Sequence, residues 1–162
     1  MFLSGDIALI IGNNSSGKTI FARYLASTID INYIYIDFIH TSYERLDEIY
    51  NKYNNKKKVV LVIDNYIELR KNIIRMKKFI FNNNFTIIFV MNYISHKIVN
   101  HADSIYFSKN DSTSDIYFNS IKKFYKNKNK FITNMKKLRP FGFLCIDKDN
   151  KIKFKEELIK IK

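Results

Sequence analysis

A stretch near the amino terminus carries the residue types that bind phosphate groups. Two glycines flank four small or polar residues, and a lysine and a threonine follow, in the pattern G-x-x-x-x-G-K-[ST]. The stretch reads Gly12-Asn13-Asn14-Ser15-Ser16-Gly17-Lys18-Thr19. An apolar run, Ile7–Ile11, precedes it and a helical pattern follows it, which is the context that this phosphate-binding loop, or P-loop, requires. The sequence therefore predicts a site for a nucleoside triphosphate.

Each fixed position of the P-loop has a chemical reason. Gly12 and Gly17 allow backbone conformations that are closed to residues with a Cβ, so that successive N–H groups turn inward around an anion. These groups and the N-terminus of the following helix would hold the β-phosphate. Lys18 adds a cation for the β- and γ-phosphates, and the Thr19 hydroxyl is suited to ligate Mg²⁺. A chance match in a glycine-containing turn is the competing interpretation, and the agreement of strand, loop and helix counts against it.

Polar residues also follow two later apolar runs. Asp64 comes directly after Val59–Ile63, and an acid in that position is the usual second anchor for Mg²⁺, which it holds through bound water. The alternative for Asp64 is an ordinary turn residue at the end of a strand. Asn92 follows the next run, Phe85–Met91, and either offers an amide near the γ-phosphate or is an ordinary loop asparagine.

The residue after the acid bears on hydrolysis. A carboxylate would be expected there if it polarised the attacking water, but the chain has Asn65. An amide orients water through hydrogen bonds and cannot accept its proton, so the sequence leaves hydrolysis open. Glu68 is close enough in sequence to substitute, although a solvent-facing acid in the first turn of a helix is the more ordinary interpretation.

The elements that would position these residues alternate between strand and helix. Apolar runs predict strands at 7–11, 33–36, 59–63, 85–91 and 104–107, and a terminal hairpin from 143–146 and 151–155. Helical spacing predicts helices after the P-loop, over 41–53 behind a capping box at 41–44, and over 69–80, 95–101, 117–124 and 131–138. The expected fold class is α/β, a P-loop NTPase with a doubly wound, mainly parallel sheet flanked by helices and a C-terminal β-hairpin. Ligand would bind at the carboxyl ends of the strands.

Strand order separates two classes of P-loop protein. In the simplest P-loop kinases the acid lies on the strand adjacent to the P-loop strand, whereas ATP-driven motors place another strand between the two. Asp64 follows the third apolar run, which is compatible with the motor arrangement. The order of the strands does not follow from the sequence alone.

Length and composition bound the remaining possibilities. The 162 residues are expected to form one domain, 1–162, that begins almost at Met1 and leaves no room for an amino-terminal accessory module. The sequence has neither a membrane-spanning run nor a signal-peptide pattern, so we expect an intracellular protein without membrane insertion. The single cysteine, Cys145, excludes an internal disulfide, and three scattered histidines do not resemble a metal set.

The net charge of +13 has two explanations. Clustered lysines neutralise phosphates of a nucleic-acid partner. However, Lys, Ile, Asn, Tyr and Phe all have A/T-rich codons, and only five of the 28 basic residues are arginine, so the charge also fits a genome bias. The basic segments Lys56–Lys58 and Lys122–Lys137 are candidate DNA contacts, with a solvated surface as the alternative.

The chain resembles one family of viral motors in the order and spacing of several segments. The P-loop, the strand ending in Asp64 and the strand ending at Asn92 are followed by His101–Phe107 and Phe141–Asp147. From about 7 to 154, the chain is thereby similar to the DNA-packaging ATPases of poxviruses and related large DNA viruses, in the FtsK/HerA superfamily of ring-forming motors. The resemblance implies a homo-oligomeric ring that uses ATP and Mg²⁺ to drive double-stranded DNA into the capsid. It further implies contact with viral capsid or other packaging proteins, in the host cytoplasm or the virion.

The chain departs from that family at three positions. The residue after the strand-ending acid is an asparagine where the family usually has an acid, and Asn92 stands where it has a glutamine. The family also has an arginine shortly before the segment that matches Ala102-Asp103, where this chain reads Ile98-Val99-Asn100-His101. A missing arginine finger costs on the order of 10³ to 10⁵ in rate. The resemblance therefore implies a weak or divergent ATPase, or one that uses Lys97 or Arg139 instead.

The leading hypothesis is an ATP-driven DNA-translocating motor domain. In it, Gly12–Thr19 hold the phosphates, Asp64 supports Mg²⁺, and Asn65 with Asn92 position the attacking water. One alternative is a small P-loop kinase for a nucleoside or nucleotide, with Asp37 as the base, although the dispersed arginines form no arginine-rich lid. The other alternative is a nucleotide-binding subunit that has lost hydrolysis.

Overall fold

The chain alternates between strands and helices throughout the part that the computed structural model describes. The described residues are 5–55, 58–67, 69–94, 96–109, 114–122, 125–147 and 152–155. The elements in chain order are β1 (Ile7–Ile11), α1 (Lys18–Ile29), β2 (Ile34–Asp37), α2 (Tyr43–Tyr53), β3 (Val59–Asp64), α3 (Arg70–Ile80), β4 (Phe85–Met91), α4 (His96–Val99), β5 (Ser104–Ser108), α5 (Ser114–Ile121), α6 (Lys128–Lys137), β6 (Phe143–Asp147) and β7 (Ile152–Lys155). Some residues singled out from the sequence fall outside the described ranges, namely Lys56, Lys57, Glu68, Ser95, Ser112, Thr113, Lys123 and Phe124.

The strands form one seven-stranded sheet in the order β2-β3-β4-β1-β5-β6-β7. Strands β1 to β5 run parallel to one another, whereas β6 pairs antiparallel with β5 and β7 pairs antiparallel with β6. The predicted α/β architecture with a mostly parallel sheet is therefore confirmed, and the predicted hairpin strands pair with each other. The order also places β4 between β1 and β3.

Helices cover both faces of the sheet. On one face, α1 packs through residues such as Phe21 and Leu25 against alternate strand residues that include Ile10 of β1. The helices α2 to α6 pack on the opposite face, where Leu9 and Phe89 are among the buried strand residues. Because both faces are covered, β1, β3, β4 and β5 are buried along their whole length, as expected for central parallel strands.

Two helix starts differ from the sequence predictions because of their caps. The N-cap of α2 is Ser42 rather than Thr41, since the Ser42 hydroxyl accepts a hydrogen bond from the N–H of the third helical residue at 3.2 Å. The helix predicted over 131–138 begins earlier than expected, at Lys128. The Asn127 side chain caps α6 by accepting a hydrogen bond from the Lys130 N–H at 2.9 Å.

Candidate functional site

The carboxyl ends of β1, β3 and β4 meet at one edge of the sheet. Ile11 at the end of β1 pairs with Met91 at the end of β4, and Ile63 of β3 pairs with Phe89 of β4. The residues that follow these strand ends are those that the sequence singled out as a site: Gly12–Thr19 after β1, Asp64 and Asn65 at the end of β3, and Asn92 after β4. All of the predicted site residues therefore come to the same edge.

The backbone of the P-loop bends sharply between β1 and α1. The Gly12 N–H donates to the Met91 carbonyl oxygen at 3.2 Å, and the Ser16 N–H donates to the Asn13 carbonyl oxygen at 3.3 Å. Gly17 has φ 81°, in the left-handed region, and Ser15 also has a positive φ, of 61°. The expectation that Gly17 provides a conformation disfavoured for other residues agrees with this geometry.

Gly12 is required for a different reason from the one expected. It does not adopt a left-handed conformation, but a Cβ added to it would lie 1.8 Å from the Ser108 Oγ and 2.8 Å from the Ser16 Oγ. Both hydroxyl oxygens are buried and have no hydrogen-bond partner among the described residues. Gly12 therefore leaves room for the hydroxyl groups of Ser16 and Ser108 beside the loop.

The N-terminus of α1 is open to a ligand. Its N-cap, Gly17, makes no side-chain hydrogen bond, and its first turn contains no acidic residue. In contrast, the side chains of Ser42 and Asn127 cap α2 and α6. The first N–H groups of a helix lack partners within the helix and carry its positive dipole end, so this loop and helix start can hold an anion.

Lys18 is buried within the loop, with only 7% of its surface exposed. Its Nζ donates a hydrogen bond to the Asn13 carbonyl oxygen at 2.5 Å. Burial lowers the pKa of Lys18, and the nearby Asp64 carboxylate partly opposes that change. A cationic donor thus lies at the start of the helix, between the loop and the strand-end acid.

Asp64 is 3% exposed and accepts hydrogen bonds from three groups. Its Oδ2 accepts from the Thr19 hydroxyl at 2.6 Å and from the Tyr35 hydroxyl at 2.7 Å. Its Oδ1 accepts from the Asn65 N–H at 2.8 Å. Burial, followed by the hydrogen bond to Asp64, raises the pKa of Tyr35 to about 12, so Tyr35 is a neutral donor at ordinary pH.

The oxygens of Thr19 and Asp64 fit Mg²⁺ better than a metal that needs several protein ligands. Within the described ranges, no group of three or more His, Cys, Asp or Glu side chains is arranged to hold a metal ion. Mg²⁺ commonly keeps several waters and takes one or two protein oxygens together with substrate phosphates. A hydroxyl and a carboxylate 2.6 Å apart match that donor set.

The amide of Asn65 is oriented by a second strand-end acid. Its Nδ2 donates to Asp37 Oδ1 at 3.1 Å, and its backbone has φ 55°. Asp37 also accepts a hydrogen bond from the Ile39 N–H at 3.3 Å. Asn92 is exposed and directly follows β4, the strand between β1 and β3. Two amides and two carboxylates therefore lie along this edge.

Three residues of this site were missed in the sequence. Tyr35 and Ser108 lie at or near the ends of strands, and the only sequence signal is a polar residue in an apolar run. Phe141 belongs to the turn before β6, and its ring carbon Cδ1 would lie 3.1 Å from a Cβ on Gly17. Phe141 belongs to the segment Phe141–Asp147 that resembles the viral family, and no role was predicted for it.

The family resemblance suggested Lys97 or Arg139 as a replacement for the arginine finger. The two residues lie in different places. Arg139 is exposed in the same turn as Phe141. Lys97 lines a groove of about 460 Å³ between α3 and α4, and the P-loop does not contribute to this groove. The groove has a basic lining that includes Arg70 and Lys77 and was not recognised in the sequence.

Several of the lysines predicted to contact DNA are exposed, at the start of β3, at the end of α5 and on α6. Lys58 is exposed at the start of β3, and Lys122 is exposed at the end of α5. The exposed lysines of α6 are Lys128, Lys130, Lys136 and Lys137. Lys128 forms an ion pair with Asp115 at 2.7 Å.

Comparison with known proteins adds no relative to these observations. No model of a known protein family matches the chain, and no curated protein matches it at a significant level. In the part of the chain that the structure describes, no helix has the length and apolar composition needed to cross a membrane.

Proposed function

We propose that the chain is a P-loop NTPase domain that binds ATP with Mg²⁺ and works as a motor on double-stranded DNA. The observation that carries this proposal is the 2.6 Å hydrogen bond between the Thr19 hydroxyl and the Asp64 carboxylate. It joins the first turn of the helix after the P-loop to the strand-end acid, across the intervening strand β4. The two oxygens that the sequence assigned independently to Mg²⁺ are therefore in contact.

In this proposal the P-loop backbone and Lys18 bind the phosphate chain. The open N-terminus of α1 contributes N–H groups, and the buried ammonium of Lys18 exchanges its bond to the Asn13 carbonyl oxygen for a phosphate oxygen. The hydroxyl groups of Ser16 and Ser108, which have no hydrogen-bond partner in the described part of the chain, offer further donors beside Gly12.

Thr19 and Asp64 are the residues that would hold Mg²⁺, the Thr19 hydroxyl directly and the Asp64 carboxylate through water. The metal would supply charge neutralisation at the β- and γ-phosphates. Tyr35 and the Asn65 N–H keep the Asp64 carboxylate oriented, because each donates a hydrogen bond to it.

Hydrolysis in this site depends on amides rather than on the usual acid. Asn65 and Asn92 would orient the attacking water, and neither can accept its proton. Asp37 supports turnover in spite of this, since it is a carboxylate at the end of the neighbouring strand and is hydrogen-bonded to the Asn65 side chain. We expect slow hydrolysis that proceeds with Asp37 as the proton acceptor.

The strand order favours a motor over a kinase. β4 lies between β1, which leads into the P-loop, and β3, which carries Asp64. In the simplest P-loop kinases those two strands are neighbours. Asp37, the base of the kinase alternative, is hydrogen-bonded to the Asn65 amide, which is one of the two groups that would orient the attacking water.

Double-stranded DNA, a homo-oligomeric ring, packaging proteins and a role in virion assembly are the remaining parts of the proposal. They are supported by the resemblance to viral packaging ATPases, by the net charge of +13 and by the exposed lysines on α6. Contacts of lysine with phosphate release counterions, so binding to DNA should weaken steeply with salt.

The test is the release of phosphate from ATP with Mg²⁺, with and without double-stranded DNA, at two salt concentrations. We expect slow release that DNA stimulates at low salt and not at high salt. Lys18→Ala should weaken ATP binding by roughly 10- to 100-fold, since it removes a charged hydrogen-bond donor. Lys71→Ala, an exposed lysine on α3, is the matched control and should not change it.

The other outcomes of this experiment separate the alternatives. Binding of ATP without release would favour a subunit that has lost hydrolysis. Transfer of phosphate to a nucleoside from a panel of acceptors would favour the kinase. Failure of DNA to bind in a salt-dependent manner, or to stimulate turnover, would refute the motor, and unchanged ATP binding by Lys18→Ala would refute the P-loop assignment.

A further inference from the structure

The turn between α6 and β6 has an unusual residue at its third position. The Gly142 N–H donates to the Arg139 carbonyl oxygen at 2.8 Å and closes a four-residue turn with Pro140 second and Phe141 third. Phe141 has φ 61°. Turns with proline at the second position and a positive φ at the third normally have glycine or asparagine there, because a side chain is strained in that conformation. The turn therefore holds Phe141 in a strained backbone conformation.

The same residue is exposed instead of buried. Phe141 is 61% exposed, yet its ring reaches the P-loop, within 3.1 Å of the position of a Cβ on Gly17. The Lys109 N–H donates to the Gly142 carbonyl oxygen at 3.0 Å and ties the turn to the end of β5. The chain thus keeps a strained, solvent-facing aromatic ring at a defined place beside the phosphate loop. Neither the packing of the core nor the geometry of the turn requires a phenylalanine there.

The order of the strands gives the direction in which a nucleotide would lie. Asp64 ends β3, on one side of β1, whereas β5 and β6 lie on the other side. A terminal phosphate near Thr19 and Asp64 therefore sends the nucleoside toward β5 and β6. Ser108, at the end of β5, pairs with Phe143 at the start of β6, so the turn that carries Phe141 lies on this nucleoside side.

We propose that Phe141 is the platform on which the base of the nucleotide stacks. The proposal rests on the proposed function of the P-loop and extends it to the nucleoside. A largely exposed aromatic ring beside Gly17 suits a planar base, and stacking on an aromatic side chain does not require a particular base. The platform therefore accounts for nucleotide binding without a base-specific sequence motif, and it does not by itself distinguish ATP from GTP.

The experiment compares ATP with inorganic tripolyphosphate, which has the phosphates and no base, each with Mg²⁺. Phe141→Ala should weaken the binding of ATP by roughly 5- to 100-fold, which is the usual contribution of one stacked base. The binding of tripolyphosphate should stay the same. Phe81→Ala is the matched control, because Phe81 is similarly exposed, at 65%, but lines the groove between α3 and α4. It should change neither affinity.

A second set of variants separates binding from folding. The chain contains no tryptophan, so Phe141→Trp introduces a single tryptophan whose emission should change with ATP and not with tripolyphosphate. Phe141→Gly relieves the positive φ and should keep the melting temperature while it weakens ATP binding as Phe141→Ala does. A purely structural side chain would instead lower the melting temperature.

Each outcome decides the proposal. If the wild-type protein binds both ligands and Phe141→Ala weakens both equally or neither, the base platform is overturned while the phosphate site stands. If the wild-type protein binds neither ligand, the proposed function and the platform both fail.

Discussion

The two sides of the phosphate loop are built differently. On the β3 side, the Asp64 carboxylate accepts hydrogen bonds from Thr19, Tyr35 and Asn65, so the polar groups satisfy one another. On the β5 and β6 side, the Ser108 hydroxyl is buried without a hydrogen-bond partner among the described residues, and Phe141 is exposed on a strained turn. The β3 side is thus a cluster of polar groups that bond to one another. The β5 and β6 side holds a hydroxyl without a partner among the described residues and an exposed aromatic ring.

Under the proposed function, this difference would assign a different part of the nucleotide to each side. On the β3 side, Thr19 and Asp64, which now bond to each other, are the residues that would hold the metal beside the terminal phosphate. The β5 and β6 side would gain contacts, since the Ser108 hydroxyl has no hydrogen-bond partner among the described residues and Phe141 is exposed. Changes on the β3 side should therefore alter metal dependence, and changes on the other side should alter packing and affinity for the nucleoside.

The largest effect is expected from Asp64→Asn, which removes the charge and keeps the shape. Because Asp64 would hold the metal through water, the Mg²⁺ concentration needed for ATP binding should rise by roughly 10- to 100-fold. Titration of ATP binding against Mg²⁺ measures this. Asp115→Asn, at a surface ion pair on α5, is the control and should leave the titration unchanged. If the titration curve of Asp64→Asn matches that of the wild-type protein, the assignment of the metal to the β3 side is wrong.

A smaller effect is expected from Gly12→Ala on the opposite side. The new Cβ would overlap the Ser108 side chain, and forced overpacking of this kind costs about 1–3 kcal/mol in the free energy of unfolding. Ser108→Gly in the same chain should restore part of the loss, since it removes both atoms of that contact. Urea unfolding of the two single variants and the double variant gives the coupling. Additive losses would show that Gly12 is required for some other reason.

The smallest effect is expected from Tyr35→Phe, which keeps the ring in contact with Arg23 and removes the hydroxyl. Arg23 lies 4.1 Å from the ring centroid. Loss of the hydrogen bond to the buried carboxylate should lower the free energy of unfolding by about 1–2 kcal/mol at neutral pH.

The effect of Tyr35→Phe should also depend on pH. Because the pKa of Tyr35 is raised to about 12, the folded protein keeps the phenol proton above pH 10 while the unfolded chain, with a pKa near the ordinary value of 10.0, releases it. The contribution of this group is therefore complete below pH 10 and is lost as the pH rises to 12. Unfolding curves across that range should converge for the wild-type protein and Tyr35→Phe. Parallel curves would contradict the assigned hydrogen bond.

Local patterns in the sequence were sufficient to predict the elements and the polar residues at their ends. Continuous apolar runs such as Val59–Ile63 predict central parallel strands, and parallel strands place the residues after them at one edge. Asp64, Asn65 and Asn92 were predicted to lie at that edge for this reason. The start of α6 was wrong because Asn127 extends the helix beyond the apolar pattern that begins at Phe131.

The rest of the site depends on contacts that local patterns do not contain. The position of β4 between β1 and β3 is a choice among several orders that crossover helices allow. Ser108 lies beside the P-loop only because of the register in which β5 pairs with the end of β1. The role proposed for Phe141 rests on its positive φ and on the position of its ring beside Gly17, and no spacing in the sequence predicts either one.

The most direct test of the account is a crystal structure of the protein with Mg²⁺ and a non-hydrolysable ATP analogue. We expect the phosphates to lie in the loop 12–19, with the metal between Thr19 and Asp64 and the base on the ring of Phe141. An analogue bound elsewhere, or bound with its terminal phosphate away from Asp64, would contradict it.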